Sequence, residues 1–166
     1  MWNQFNTGDY SGMIAETIKI KGYNNDEISA YYSHPLKKTQ VGSIVLIPHM
    51  PGWDEWCRET SRRFTEHGYA VLCPDIYCRF GTGEPVEVSK RMRETGGVSD
   101  ESVMGDTKAS MDFLRKQEES NGKVGVIGMC SGGRHAFLAA CTLEGVDAVI
   151  DCWGGAVIMK EEELSA

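Results

Sequence analysis

Residues 124–133 constrain this chain more than any other stretch. The short apolar run Val124-Gly-Val-Ile127 leads directly into Gly128-Met129-Cys130-Ser131-Gly132-Gly133. A strand that turns at once into a helix tolerates only small residues around the turn, because larger side chains would collide there. A Gly-x-nucleophile-x-Gly turn of this kind is a nucleophile elbow, which lifts one reactive side chain above the edge of a sheet. The reactive position here is Cys130. A thiol at the start of a helix has its thiolate favoured by the helix dipole and by free N–H groups. The plainer reading is a buried cysteine in a glycine-rich strand–helix turn, as in a dinucleotide-binding fold. The spacing opposes it: Cys130 holds the third motif position, so the pattern is not Gly-x-Gly-x-x-Gly.

The rest of the chain alternates strands with helices. Ile14–Ile20 and Ile28–Tyr32 alternate apolar and polar residues and predict an N-terminal hairpin, with Asn24-Asn25-Asp26 at its turn. Residues 42–48 and 69–73 are continuous apolar runs, as in strands buried on both faces. Between them Glu55 to His67 predicts a helix ended by Gly68. Residues 80–98 are rich in Gly, Glu and Arg and read as an excursion, partly helical from Val86 to Glu94. A helix over 99–117, capped by Ser99 or Asp100, is followed by a turn at Asn121-Gly122 that leads into the strand 123–127. After the elbow come a helix to about Leu143 and a strand at Asp147–Asp151. This order predicts an α/β protein with a mostly parallel sheet and helices on both faces. With the elbow it specifies the α/β-hydrolase fold. Ligands in such folds sit at the carboxyl ends of strands, here Pro48-His49, Pro74-Asp75, Gly128–Cys130 and Cys152-Trp153.

Composition narrows the function classes. The 166 residues carry a net charge of −7, with 41% hydrophobic and 25% charged residues. That suits one domain over residues 1–166. No basic cluster suggests nucleic acid. No apolar stretch nears the ~20 residues that span a bilayer, so no membrane partner is expected. The polar start, Met1-Trp-Asn-Gln-Phe-Asn-Thr, does not read as a secretory leader, and the expected location is cytoplasmic. The six cysteines lack CxxC spacing and read as reduced, mostly buried thiols, one of them reactive. Cys73 and Cys78 with His67 could be read as a metal cluster, but no second ligand group accompanies them. Neither a metal nor a cofactor is expected. Oligomeric state is not encoded in any recognisable pattern.

Three co-ordered segments resemble one family. They are Asn121 to Gly133, Gly68-Tyr-Ala-Val-Leu-Cys-Pro-Asp-Ile-Tyr77, and Pro48-His-Met-Pro-Gly-Trp-Asp-Glu-Trp56 followed by Arg58-Glu59. Together they are similar to the dienelactone hydrolases (carboxymethylenebutenolidases), and the resemblance runs from about Ile14 to Trp153. It implies a hydrolase acting on a small ester or lactone through an acyl-thioester on Cys130. The oxyanion would be held by the N–H of Ser131 and by an N–H from the loop after Pro48, with Met50 the expected donor because Pro51 has no N–H. Arg79 matches a family arginine that faces a substrate carboxylate, where bidentate pairing with a planar anion is the physical reason. Near His49 the family has a glutamate that meets the resting thiol. This chain has His49 or Met50 there, and His49 is weighed as a substrate contact against a plain polar loop histidine. His135, five residues after Cys130 on the elbow helix, points away from the thiol. Asp75 reads as a turn residue, and Trp53, Trp56 and Trp153 as pocket or core aromatics.

In this fold the acid and the histidine follow the nucleophile in the chain. The resemblance places both beyond Ala166, so the chain reads as the N-terminal two-thirds of such an enzyme. The last strands of the sheet would then be missing, leaving an apolar edge around Val146–Ile150. Two alternatives stay open at this point: an inactive binding module of the same fold, and a thiol redox protein. The absence of a resolving cysteine near Cys130 disfavours the second.

Overall fold

The computed structural model describes residues 12–36 and 39–158. Met13–Lys21 (β1) and Glu27–Pro35 (β2) form an antiparallel hairpin, with Met13 opposite Pro35 and Lys21 opposite Glu27. Asn24 and Asn25 turn the chain between them at φ 53° and 64°. Asparagine enters this left-handed region more readily than most residues.

Four further strands complete one sheet: Val41–Ile47 (β3), Ala70–Pro74 (β4), Ser120–Met129 (β5) and Ala148–Cys152 (β6). The order is β1-β2-β4-β3-β5-β6. β2 meets β4 antiparallel, while β4–β3, β3–β5 and β5–β6 are parallel. Val45, Leu46 and Ile47 are buried, as are Val71, Leu72 and Cys73. Both faces of these strands are covered, which is why they read as unbroken apolar runs. β5 begins three residues before the expected 123. Val41 pairs with Ser120 across an irregularity in the register, and the turn residues Asn121-Gly122 are absorbed into it.

The helices are Glu55–Glu66 (α1), Pro85–Glu94 (α2), Asp100–Arg115 (α3) and Ser131–Thr142 (α4). Each starts where its cap permits. Asp54 accepts from Cys57 N at 3.1 Å and caps α1. Pro85 opens α2, where its missing N–H has no partner to lose. Ser99, not Asp100, caps α3 by accepting from Ser102 N at 3.2 Å. On one face α1 packs Cys57 and Phe64 against Leu46, Val71 and Ile127. On the other, α2, α3 and α4 bury Val88, Met92, Met111, Leu114 and Ala136 against Val45, Ile47, Leu72 and Val126.

α1 leaves part of its face open. Ile44, Phe64, Tyr69, Ile127, Ala148 and Ile150 line an apolar groove of about 290 Å³. It ends at β6, which has no strand beyond it among the described residues, and Ile150 there is 53% exposed. This is the apolar edge expected from the sequence. No helix among the described residues is long and apolar enough to cross a membrane.

Candidate active site

Cys130 links β5 to α4 with φ 54° and ψ −123°. That conformation is costly for any residue with a Cβ, of the order of 1–3 kcal/mol, and persists only where the surroundings impose it. Two backbone bonds do so: Cys130 N donates to Cys152 O at 3.0 Å, and Arg134 N donates to Cys130 O at 3.2 Å. The flanking glycines are required by contact. A Cβ on Gly132 would stand 2.5 Å from Ile47 O and 2.7 Å from Pro48 O, and one on Gly128 would strike the Gly132 carbonyl. The elbow is thereby pressed against the end of β3. Cys130 itself is exposed, and its Sγ makes no hydrogen bond within the described residues.

The loop leaving β3 is built as a compact turn. Gly52 N donates to His49 O at 2.8 Å and Asp54 N to Gly52 O at 3.0 Å. Met50 has an exposed side chain, but its carbonyl accepts from Ser89 Oγ at 2.6 Å. Ser89 Oγ in turn accepts from Arg93 at 2.6 Å. A relay from α2 therefore sets the Met50–Pro51 peptide. Neither Met50 N–H nor Ser131 N–H donates a hydrogen bond within the described residues. Ser131 Oγ is buried without a hydrogen-bond partner. The Tyr77 phenol faces it without reaching hydrogen-bond geometry. Burial pushes this phenol up, the adjacent Ser131 hydroxyl and Arg93 pull it down, and a thiolate at Cys130 would push it up again. The Tyr77 ring packs on the loop turn: a Cβ on Gly52 would lie 3.1 Å from it.

His49 leans toward its own loop. Its Nε2 lies 3.0 Å from Asp54 Oδ2, and its ring is tilted over Trp56 at 4.8 Å. Burial alone would raise the Asp54 carboxyl, but bonds from Cys57 N and His49 outweigh it and hold it below its ordinary 3.8. Cys57 Sγ, directed back at this cap, donates to Gly52 O at 3.4 Å.

Arg79 is fully engaged. It forms a fork with buried Asp106 at 2.7 and 2.9 Å, bonds Asp26 Oδ2 at 2.8 Å, and donates to Tyr23 O. It borders a cavity of about 760 Å³ with Trp53, Arg58, Asp75 and Tyr77, and Cys130 is not in that lining. Asp75 accepts from Tyr77 N at 3.2 Å, the turn role expected of it, and burial raises its carboxyl. Trp53 donates to Cys73 O at 2.9 Å, while Trp153 is exposed. His135 is buried beside Asp100, which Arg134 grips at 2.7 Å through both nitrogens. All six thiols are free of disulfides; Cys57 and Cys73 alone are fully buried, so burial is less general than expected.

Sequence reasoning missed Asp54, Tyr77, Ser89, Arg93 and Asp106. Asp54 was legible, since it directly precedes the first residue of the expected helix at Glu55, the usual place of a cap. Tyr77 closes one of the three resembling segments but gave no sign of facing the elbow. Nothing in the sequence links Ser89 to Met50 or Asp106 to Arg79.

A mostly parallel sheet with helices on both faces and an elbow at a parallel strand's end defines an α/β-hydrolase fold. Solved structures agree. A candidate dienelactone hydrolase from Klebsiella pneumoniae superposes with a TM-score of 0.79 at 22% identity, covering 92% of this chain and 65% of that one. A cold-adapted esterase from an Arctic intertidal metagenomic library gives 0.60 at 14% identity, covering 85% and 59%. Residues 28–166 match the Dienelactone hydrolase family, and the chain belongs to it. The carboxymethylenebutenolidase of Pseudomonas putida is 34% identical over 134 residues, covering 77% of this chain and 56% of the relative. Carboxymethylenebutenolidase 1 of Cupriavidus pinatubonensis is 24% identical over 143 residues, covering 79% and 61%. The chain thus spans little more than half the length of these relatives.

Proposed function

We propose that this chain carries the nucleophile and oxyanion site of a hydrolase that opens a small ester or lactone. The observation that carries the reading is Cys130: an exposed thiol in a strained conformation, at a helix N-terminus, with the backbone rather than its own side chain fixing it. Cys130 Sγ, as thiolate, attacks the acyl carbon. Negative charge develops on the former carbonyl oxygen, and the N–H groups of Ser131 and Met50, both free of other acceptors, receive it. When the tetrahedral adduct collapses, the acyl C–O bond breaks and the alkoxide takes up the proton that Cys130 gave to its acceptor. An ester's alcohol departs, a lactone's hydroxyl stays tethered, and either way an acyl-thioester remains on Cys130. Water then cleaves the thioester and restores the thiol.

The proton acceptor for Cys130 belongs, in this reading, to the part of the family domain outside the match, where the fold order puts the acid and the histidine. Names of the relatives, carboxymethylenebutenolidases, favour a lactone. Arg79 could meet a substrate carboxylate only by exchanging Asp26, its half-exposed partner, while keeping buried Asp106. His49 would reach a substrate with whatever Asp54 leaves free. The test is intact-mass trapping with an activated ester, together with turnover of a small lactone. An acyl adduct on Cys130, absent in Cys130→Ala, is the expected result. Turnover that survives Cys130→Ala, or an adduct on another residue, would overturn the reading.

A further inference from the structure

The nine residues from His49 to Cys57 bring together three donors of different chemistry. His49 Nε2, an Asp54 carboxylate oxygen and Cys57 Sγ all lie within 4.8 Å of one another. Local geometry explains the convergence. Asp54 is the cap of α1, and Cys57 is the third residue of that helix, the position whose side chain folds back toward the cap. His49 is returned to the same point by the turn at Gly52.

From this convergence we infer that His49, Asp54 and Cys57 form a binding site for a borderline-soft divalent cation, Zn²⁺, on the loop that carries Met50. The donor set argues for the metal. Zinc accepts thiolate, imidazole and carboxylate together at about 2.0–2.3 Å, in tetrahedral geometry that sets ligands about 3.3–3.8 Å apart. The His49–Asp54 separation of 3.0 Å is already close to that, so Sγ has only to close by about an ångström, giving up its bond to Gly52 O. The cation releases the Cys57 proton to solvent, and His49 binds as the neutral ring. One thiolate and one carboxylate then balance the two charges of the ion, offsetting the positive end of the α1 dipole that would otherwise repel it. Water fills the fourth position. Access is through His49 and Asp54, which are partly exposed, while Cys57 forms the buried floor.

The consequence lies on the loop. His49 precedes Met50 and Asp54 closes the turn, so a bound ion would fix both ends of the segment that presents the Met50 N–H. The inference concerns the same loop as the proposed oxyanion site but does not depend on Cys130 being a nucleophile.

The experiment therefore uses the full chain carrying Cys130→Ala and Cys141→Ser, which removes the two exposed thiols. Zn²⁺ titration by calorimetry should give one equivalent bound, with a rise in melting temperature. Co²⁺ in place of Zn²⁺ should give a thiolate-to-metal charge-transfer band and tetrahedral visible absorption. Cys57→Ser and His49→Gln should each weaken binding by at least about a hundredfold, beyond the range known for outer-shell partners. Asp54→Asn keeps a good helix cap and separates capping from ligation; it too should lose the ion while staying folded. Lack of stoichiometric binding, or a charge-transfer band that survives Cys57→Ser, overturns the inference.

Discussion

The Cys130 amide donates to the Cys152 carbonyl at 3.0 Å, so the elbow is stitched sideways to the end of β6. The reactive residue is thus held by its backbone, between the last residue of one strand and the first turn of a helix. Its side chain contributes nothing to that hold. Shape at this position is set by neighbours, and chemistry by whatever side chain is placed there.

Replacing Cys130 separates these two roles. Glycine relieves the strain at φ 54°, worth about 1–3 kcal/mol, and adds about 0.5–1 kcal/mol of unfolded-state entropy to be overcome. Cys130→Gly should be at least as stable as the parent, by roughly 1 kcal/mol, while losing all acylation. Cys130→Val, β-branched in the same conformation, should be clearly less stable. Urea midpoints give the order, and any ranking with valine above glycine contradicts the account.

Gly132 should tolerate no side chain. Its Cβ would press on two carbonyl oxygens of the β3 end, neither of which can move without disturbing the sheet. Gly132→Ala is expected to lose about 2–4 kcal/mol, the range of severe overpacking. Gly155, where an added Cβ meets nothing within 4 Å, is the control. Equal midpoints for Gly132→Ala and Gly155→Ala would refute the packing argument.

Two carboxylates share Arg79, and their burial predicts very different effects. Asp106 is wholly buried and also accepts from Tyr23 N at 2.8 Å. Asp106→Ala leaves Arg79 with half-exposed Asp26 alone, strips Tyr23 N of its acceptor, and should lower stability by about 3 kcal/mol. Asp26 is half exposed, and Asp26→Ala should lower it by less than about 1 kcal/mol. Denaturant unfolding of the two variants measures the difference, and comparable losses would count against the assignment of Asp106 as the anchoring partner.

The frame was legible because its signals are local. Val124–Ile127 followed by Gly128 and Gly132 specifies both a strand and the turn that ends it. Asn24-Asn25, Ser99 and Pro85 each mark a boundary through their own backbone preferences. What escaped depends on contacts distant in sequence. Ser89 reaches Met50 across 39 residues, and Arg79 reaches Asp106 across 27. No periodicity records such a pairing. Arg79 illustrates the limit: its place in the fold could be anticipated, but not that a buried carboxylate would already occupy its fork. Asn121-Gly122 kept its turn chemistry, with Lys123 N donating to Asn121 Oδ1 at 2.9 Å and Gly122 at φ 82°, but beside a parallel neighbour that turn sits as an irregularity inside β5.

The buried His135 predicts how stability responds to acid. Burial is the main cause holding its imidazole below the ordinary 6.5, and the Arg134 guanidinium adds to it, while Asp100 opposes both. The Nδ1 atom is buried with no acceptor, so a second proton would enter without a partner. The unfolded chain takes up that proton near 6.5, whereas the folded one resists to lower pH. In that interval the unfolded state binds more protons, so stability falls as pH falls below about 6.5 and levels off once the folded ring is also protonated. Asp100 acts in a separate window. Its carboxyl is held below 3.8, by Arg134 first, so its contribution is present above that value and is lost only at lower pH. Urea midpoints at pH 7.5 and 5.0 bracket that interval, and the comparison with a variant at His135 isolates its share. The parent should lose stability between them, and His135→Gln, which cannot titrate, should lose measurably less. Parallel losses in the two proteins would place the acid sensitivity elsewhere.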